Sequence, residues 1–349
     1  MPVVNTEVLD TTSDVATTTT LLHETIPITG SILSGTYGTL TAGDNIKNYT
    51  HGMFQSVYDY PYLSSSANHI FDLTVGFDET SGLSGSANVQ NAKKLNLYNQ
   101  FAQVLMGYTS SNADGLKKFE SDLNLDGAGS INDCFFVSFS RLLTKDQIKR
   151  NSFSLTLGLG TWGATSFATT TTLTDASASL SDQGVKNVNG GDYAVLYDAS
   201  ENAQGVVFYQ AGIAIVTGSV FSASADFYKN ATWGNQTWRQ AITGAAISGS
   251  CDALRHRIQN ISFNNTTEIN SKIYFCRVPH NKFNYSANPT YVSGSKIRVK
   301  NVASDNPVSY ITTVGLYSSA GELLAVAKLS EPLRKDPTND MTIRVRLDY

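Results

Sequence analysis

Along most of the chain apolar residues recur at every second position. Phe71, Leu73, Val75 and Phe77 alternate with Ile70, Asp72, Thr74 and Gly76, and Phe153, Leu155, Leu157 and Leu159 alternate with small or polar residues. A period of two puts each set on one face of an extended strand, so these runs predict half-buried strands. Tyr193–Tyr197 and Val206–Val216 predict further strands. The pattern is clearest at the end of the chain. The turn signal Ser319-Ala320-Gly321 separates Thr312–Tyr317 from Leu323–Ala327, and Pro332, Asp336 and Pro337 punctuate a loop before a last strand. In that strand Ile343, Val345 and Leu347 alternate with Thr342, Arg344 and Arg346, which predicts one buried and one cationic face.

Helical spacing is rare. Leu95, Tyr98, Ala102, Leu105 and Met106 recur at three and four residues, and Gly107 stands where a helix C-terminus favours glycine, so a core-packing helix is predicted over about 88–107. A shorter helix is predicted near Thr144 to Arg150, with Thr144 as cap and Asp146 in the first turn. The segment around Trp233, Trp238 and Arg239 reads as a helix or an irregular lid.

These elements predict a mainly β chain with a few helices (α+β), a multidomain, antiparallel β-sandwich-like architecture. Residues 1–20, Thr-rich and poor in groups to bury, read as an extended arm of the kind that pins a neighbour. Residues 21–150 read as a β-rich domain with the one core helix. Residues 151–248 read as a middle β domain with an exposed Thr/Ser-rich loop at 164–189. Residues 249–349 read as a basic C-terminal β domain, in which Ile261–Phe263, Lys272–Val278, Lys296–Lys300 and the terminal hairpin build a second sheet.

Composition narrows the setting. Of the 349 residues 41% are apolar, enough to fill real cores, but only 15% are charged, against about 25% in an ordinary globular protein. A surface so poor in charge suits a subunit most of whose faces meet neighbours. Residues 1–100 hold three Lys and no Arg against nine acids, and residues 251–349 hold thirteen Lys plus Arg against eight acids. Such asymmetry suggests head-to-tail complementarity between subunits, with two solvated faces as the plainer reading. The three cysteines, Cys134, Cys251 and Cys276, lack CxxC spacing, and Cys134 and Cys276 fall in apolar strand-like runs, so no disulfide framework is expected. No secretory signal pattern and no apolar run of membrane-spanning length is present.

The hairpin Val314-Gly-Leu-Tyr317 to Glu322-Leu-Leu-Ala-Val-Ala327, followed by Ile343-Arg-Val-Arg-Leu347, resembles the strand pattern of tail-fibre and baseplate proteins of tailed bacteriophages. The stretches Ile261–Asn270 and Asn284–Tyr291 resemble virion structural proteins of myovirus-like phages of marine cyanobacteria, as do Ser56–Leu63 and Ala67–Phe71 more weakly. What the resemblance implies is assembly in a virion after synthesis in the host cytoplasm, with no catalytic residue.

Motifs for chemistry are sparse. Asp122, Asn124, Asp126, Gly127 and Asp133 match the spacing of a calcium-wrapping loop, but Gly129 stands where an apolar residue belongs and Asp133 replaces the longer Glu, so an Asx-rich turn is favoured. Gly158-Leu-Gly-Thr-Trp-Gly163 matches a dinucleotide fingerprint, yet the β-branched residues after it make a poor helix. His23, His51, His69, His256 and His280 lack metal-ligand spacing. Asp59, Asp72 and Glu79 lie near many aromatic residues and are the candidates for a two-carboxylate glycosidase. Arg255, Arg257, Arg277, Lys296, Arg298 and Lys300 suggest a cationic stripe, but the chain is net −4, so nucleic acid is not an expected partner.

The sequence therefore reads as a structural, non-enzymatic virion subunit without catalytic, cofactor-binding or metal residues. The expected place is the contractile-tail apparatus: baseplate, fibre attachment or neck. It would act as a symmetric homo-oligomer with other virion proteins, away from membranes. Ile343, Arg344, Val345, Arg346 and Leu347 are the expected inter-subunit contact. A capsid or decoration protein is one alternative, and a receptor-binding or polysaccharide-degrading spike, with Phe54–Tyr62 as a sugar platform, is the other.

Overall fold

The computed structural model describes residues 6–29, 45–85, 88–110, 112, 115–161, 167, 169–179, 184–224, 226–230, 234–244, 246–286, 290–294, 296–297, 302 and 304–349. The chain is mainly β, and its sheets are antiparallel. It divides into two compact units, one of residues 22–267 and one of residues 1–21 with 268–349. Two long strands, β1 (Val15–Thr29) and β15 (Ile258–Val278), contribute residues to both.

In the larger unit β15 is followed across the sheet by β7 (Ser154–Leu159), β8 (Thr169–Thr174), β10 (Gly191–Tyr197), β11 (Ala203–Phe208), β12 (Ile213–Thr217), β5 (Asp133–Phe139), β4 (His69–Phe77), β3 (Gln55–Tyr58) and β2 (Ile46–Asn48). The short β6 (Gln147–Ile148) pairs with β15, β9 (Lys186–Val188) with β10, and β13 (Tyr228–Asn230) with β14 (Gly234–Gln236). The Phe139 ring on β5 lies 5.1 Å from Phe263 on β15 and 5.9 Å from Phe153 beside β7. Five strands separate β15 from β5 in the sheet order, so the sheet curls until its two halves face each other, the sandwich-like arrangement. Phe71, Leu73, Val75, Phe135, Val137, Leu155, Leu157, Ile261 and Phe263 fill the space between them. The alternating positions on the opposite face, among them Phe136, Phe208, Tyr193 and Ile215, form a second core.

Among the described residues four α-helices complete this unit. The predicted helix spans Val89–Leu105 (α1). Asn88 caps it, its Oδ1 accepting from the Asn91 amide at 2.8 Å, and Gly107 leaves it at φ +86°. Tyr98, Ala102 and Leu105 of α1 pack on the second core, and Gly76 of β4 lets the helix approach: a Cβ there would stand 3.0 Å from the Lys94 carbonyl. The helix expected near 144–150 is instead Arg141–Thr144 (α2), which Thr144 ends rather than caps. Residues 147–148 then turn into β6, because the Lys149 amide donates to Asn264 O and that of Ile148 to Tyr209 O. Trp238–Gly244 is helical (α3), with Trp233 outside the described residues, and α4 (Ile247–Arg257) buries Ile247, Cys251, Ala253 and Leu254 in the first core.

The smaller unit is also a sandwich. β15 lies between β1 and the last strand, β20 (Met341–Asp348), and β18 (Ser309–Tyr317) pairs with β19 (Leu323–Lys335). Val278, Leu316, Ile343 and Val345 are buried between the layers, with Val314, Ala325, Ala327 and Leu347 against them. A small ribbon joins β16 (Val292–Ser293) to β17 (Lys296–Ile297).

Several expected boundaries fall elsewhere. The 150/151 line lies between β6 and β7 and the 248/249 line lies inside α4, both within the larger unit. Part of the expected arm, residues 15–20, is the start of β1, where β15 supplies its ladder partner. The expected loop 164–189 holds β8, whose residues Thr169 to Thr174 pair with Leu159 to Ser154, and a 3-10 turn at Ala176–Ser179. Pro332, read as loop punctuation, lies inside β19. The register jumps there from Thr313↔Lys328 to Ile311↔Leu333, so the proline occupies a bulge and owes the ladder no donor.

Candidate functional site

In the smaller unit the sequence of β20 is laid out as its alternation predicts. Ile343 and Val345 are buried, Leu347 is half-buried, and Arg344 and Arg346 point to solvent. Arg346 is engaged locally, its Nε donating to Asp348 Oδ1 at 2.7 Å and its Nη2 to Ser271 Oγ at 3.0 Å. The bonds from Ser271 and Arg346 hold the Asp348 carboxyl below the usual range. Arg344 remains the outward cation of this strand, and β20 pairs with β15 alone among the described residues, which leaves its other edge open.

The hairpin opposite carries a feature that the period-two pattern also allows. Its inner positions Val314, Leu316, Ala325 and Ala327 pack on the core, but its outer positions are apolar too. Tyr317 is 54% exposed, Leu323 52%, Leu324 68% and Val326 52%. Tyr317 and Leu323 fold over Gly315, where a Cβ would come within 3.0 Å of the Tyr317 ring. The turn between them is closed by Gly321 at φ +83° and by the Ser318 amide donating to Glu322 O at 2.8 Å. Four neighbouring apolar side chains thus face water beside the outer edges of a two-stranded ribbon.

The acidic front and basic end of the chain meet inside this same unit. Glu7 pairs with Lys282 at 2.5 Å, and Asp14 with Arg277. Part of the complementarity expected between subunits is therefore met within one chain. Lys335, fully buried, donates to His280 O, to Asn284 Oδ1 at 2.6 Å and to Asp336 O, tying the loop after β15 to the end of β19.

In the larger unit the cationic stripe dissolves. Arg255 and Arg257 are 2% and 0% exposed. Arg255 binds Asp252 and Gln55. Arg257 donates to four carbonyls, those of Phe227, Gly158, Gly160 and Asp226, at 2.7–3.1 Å, among the rings of Phe167, Phe221 and Phe227. Arg298 and Lys300 lie outside the described residues. The glycines that looked like a dinucleotide fingerprint thus supply two of the carbonyls of a buried cation site.

The calcium-like loop closes on itself. Asp122 Oδ1 accepts from the Asn124 amide and Asp126 Oδ1 from the Ala128 amide, both at 2.9 Å, while Leu125, Gly127 and Gly129 take positive φ. These are Asx turns. Asp133 lies on β5 and accepts from Ser81. Among the described residues no three His, Cys, Asp or Glu side chains converge on a point where a cation would sit.

The three acids weighed for glycoside cleavage do not converge either. Asp59 has both oxygens taken by Asn68, from its amide at 2.6 Å and from Nδ2 at 2.8 Å. Asp72 lies on β4 and Glu79 in the turn after it, and the five residues from Asp72 to the strand end at Phe77 already span about 17 Å of extended chain, beyond the carboxylate spacing of either glycosidase geometry. What the register does assemble is a polar row, Lys47↔Ser56↔Asp72, across β2, β3 and β4 on the face away from the core. Asp72 Oδ1 accepts from Ser56 Oγ at 2.5 Å and from His69 Nε2 at 2.9 Å. The Tyr49 hydroxyl is 3.2 Å from Ser56 Oγ. Burial first, then the neighbouring Tyr49 and Asp72, push the Tyr58 hydroxyl pKa up. The aromatic residues here are visible in the sequence but the network is not, because only the pairing of β3 with β4 sets Ser56 opposite Asp72.

Compared with known proteins, the chain matches no family model, no curated protein and no solved structure. Among the described residues no helix is long and apolar enough to cross a membrane.

Proposed function

We propose that the chain is a structural subunit of a tailed-bacteriophage virion, in the baseplate, fibre-attachment or neck region of a contractile tail, and that it acts by binding copies of itself and other virion proteins. The observation that carries the assembly reading is the outer face of the terminal hairpin. Single exposed leucines are ordinary on any surface, but Tyr317, Leu323, Leu324 and Val326 adjoin one another next to strand edges without a partner among the described residues, and both features favour pairing with another chain. The low charge content supports the same reading. Its placement in a virion rests on the resemblance of the hairpin and the last strand to phage tail proteins. Arg344 and Arg346, with Ile343, Val345 and Leu347 beneath them, form a second contact on the opposite layer of the same unit, in which Arg344 meets an acid of an adjoining subunit.

The test is the oligomeric state of the purified chain by light scattering over a concentration series. The wild type assembles, and Leu324→Lys with Val326→Lys gives a monomer of unchanged Tm. A wild type that stays monomeric throughout, or a double variant that assembles as before, sinks the reading. Cryo-electron microscopy of the particle then locates the subunit.

A further inference from the structure

We infer that the outward face of β2, β3 and β4 is a binding site for a pyranose sugar, with the Asp72 carboxylate as its hydroxyl acceptor and the ring of Tyr62 as its stacking surface. The inference goes beyond the assembly reading and uses none of its residues. Asp72 spends Oδ1 on Ser56 and His69, takes no further bond on Oδ2 from the described residues, and is 33% exposed. A carboxylate oxygen held still by two donors to its twin, and open to solvent, accepts a sugar hydroxyl without reorganising.

Around it the groups a sugar needs are already fixed. Tyr58 lies 5.5 Å from His69 and 6.3 Å from Tyr62, and the Lys47 ammonium lies 4.8 Å from the Tyr49 centroid and 6.0 Å from that of Tyr62. Lys47 is thereby poised between two rings, across β3 from the acceptor, as the donor for a ring or glycosidic oxygen. Tyr62 is 36% exposed, and the loop that presents it is pinned by the Asp59–Asn68 bonds. Aromatic faces take the apolar C–H side of a pyranose while the flanking polar groups fix its orientation, and a platform already rigid loses little freedom on binding. Among the described residues, with Asp59 saturated and Glu79 remote, the face holds one available carboxylate, which suits binding a saccharide.

The experiment is saturation-transfer NMR on the full chain with the methyl pyranosides of glucose, galactose, mannose and N-acetylglucosamine, followed by titration of the best. At least one sugar receives transfer, with a Kd of about 1 mM. Tyr62→Ala, a change at a surface ring, weakens it at least about tenfold, as does the isosteric Asp72→Asn, both with unchanged Tm. If Asp72→Asn does not fold, Tyr62→Ala alone decides. No transfer to any of the four sugars, or binding that Tyr62→Ala leaves intact, overturns the inference. Both outcomes leave the oligomeric state untouched, so its failure is separable from that of the assembly reading.

Discussion

Replacing Arg257 tests the account of the larger core most directly. The guanidinium sits at 0% exposure with no carboxylate bonded to it, and burial pushes its pKa down to about 10, so it remains a cation at neutral pH. Arg257→Met keeps much of the volume and removes the charge, which by itself relieves a cost: a shift of two to three pH units is worth about 3 kcal/mol. Against this, four carbonyls lose a charged donor. At about 1.5–3 kcal/mol for each such bond, their loss comes to about 6–12 kcal/mol. The carbonyls win, and the net destabilisation is at least about 3 kcal/mol. In urea, with a slope of about 3 kcal/mol per molar, that lowers the midpoint by about 1 M or more. Arg257→Lys falls between, because an ammonium has three donors for four acceptors. A midpoint for Arg257→Met within about 0.3 M of wild type, roughly 1 kcal/mol, would refute the reasoning and mean that the carbonyls find other donors.

Further outcomes follow from the same kind of accounting. Lys94 of α1 is fully buried, donates to Ile242 O, and is held by burial at a pKa of about 8. The unfolded chain therefore binds more protons between about pH 8 and 10.5, so this residue costs most below pH 8 and its cost fades as the pH rises toward 10.5. Lys94→Met is expected to gain about 2 kcal/mol at pH 7 after the lost hydrogen bond is counted, and denaturant titrations at pH 7 and pH 10 that give the same difference contradict this. Gly76→Ala puts a methyl 3.0 Å from backbone atoms of α1 and is expected to lower stability by about 1–3 kcal/mol; an unchanged Tm would mean the helix shifts freely. The Asx turns of residues 122–128 predict one Tm in millimolar calcium and in EDTA, and a clear rise with calcium would restore the metal reading.

Where a pattern is local, the sequence could be read. The helical spacing from Leu95 through Met106 and the glycine at 107 lie within one element, and they predict α1 closely. The alternation of β20 likewise depends only on its own residues. Thr169–Thr172 looked like loop because four threonines bury little, yet β7 supplies their ladder from ten to sixteen residues upstream. Arg255 and Arg257 looked like surface because charge is ordinarily solvated. Their partners come from residues 55, 158, 160, 226 and 227 as well as from the neighbouring Asp252, and no local period announces such a convergence. The Ser56–Asp72–His69 network fails to show for the same reason, since β-sheet register is a property of two strands at once.

The smaller unit is made from the first 21 residues and the last 82, with the whole larger unit encoded between them. On a ribosome adding about 5–20 residues per second, its first segment emerges on the order of 10–50 s before the second. The larger unit has all its residues by position 267, whereas the layers that present the apolar hairpin close only when β15, β18, β19 and β20 have followed. Synthesis order thus separates the two units in time: when the larger unit has all its residues, β18, β19 and β20 have still to be made, so the layers of the smaller unit close after it.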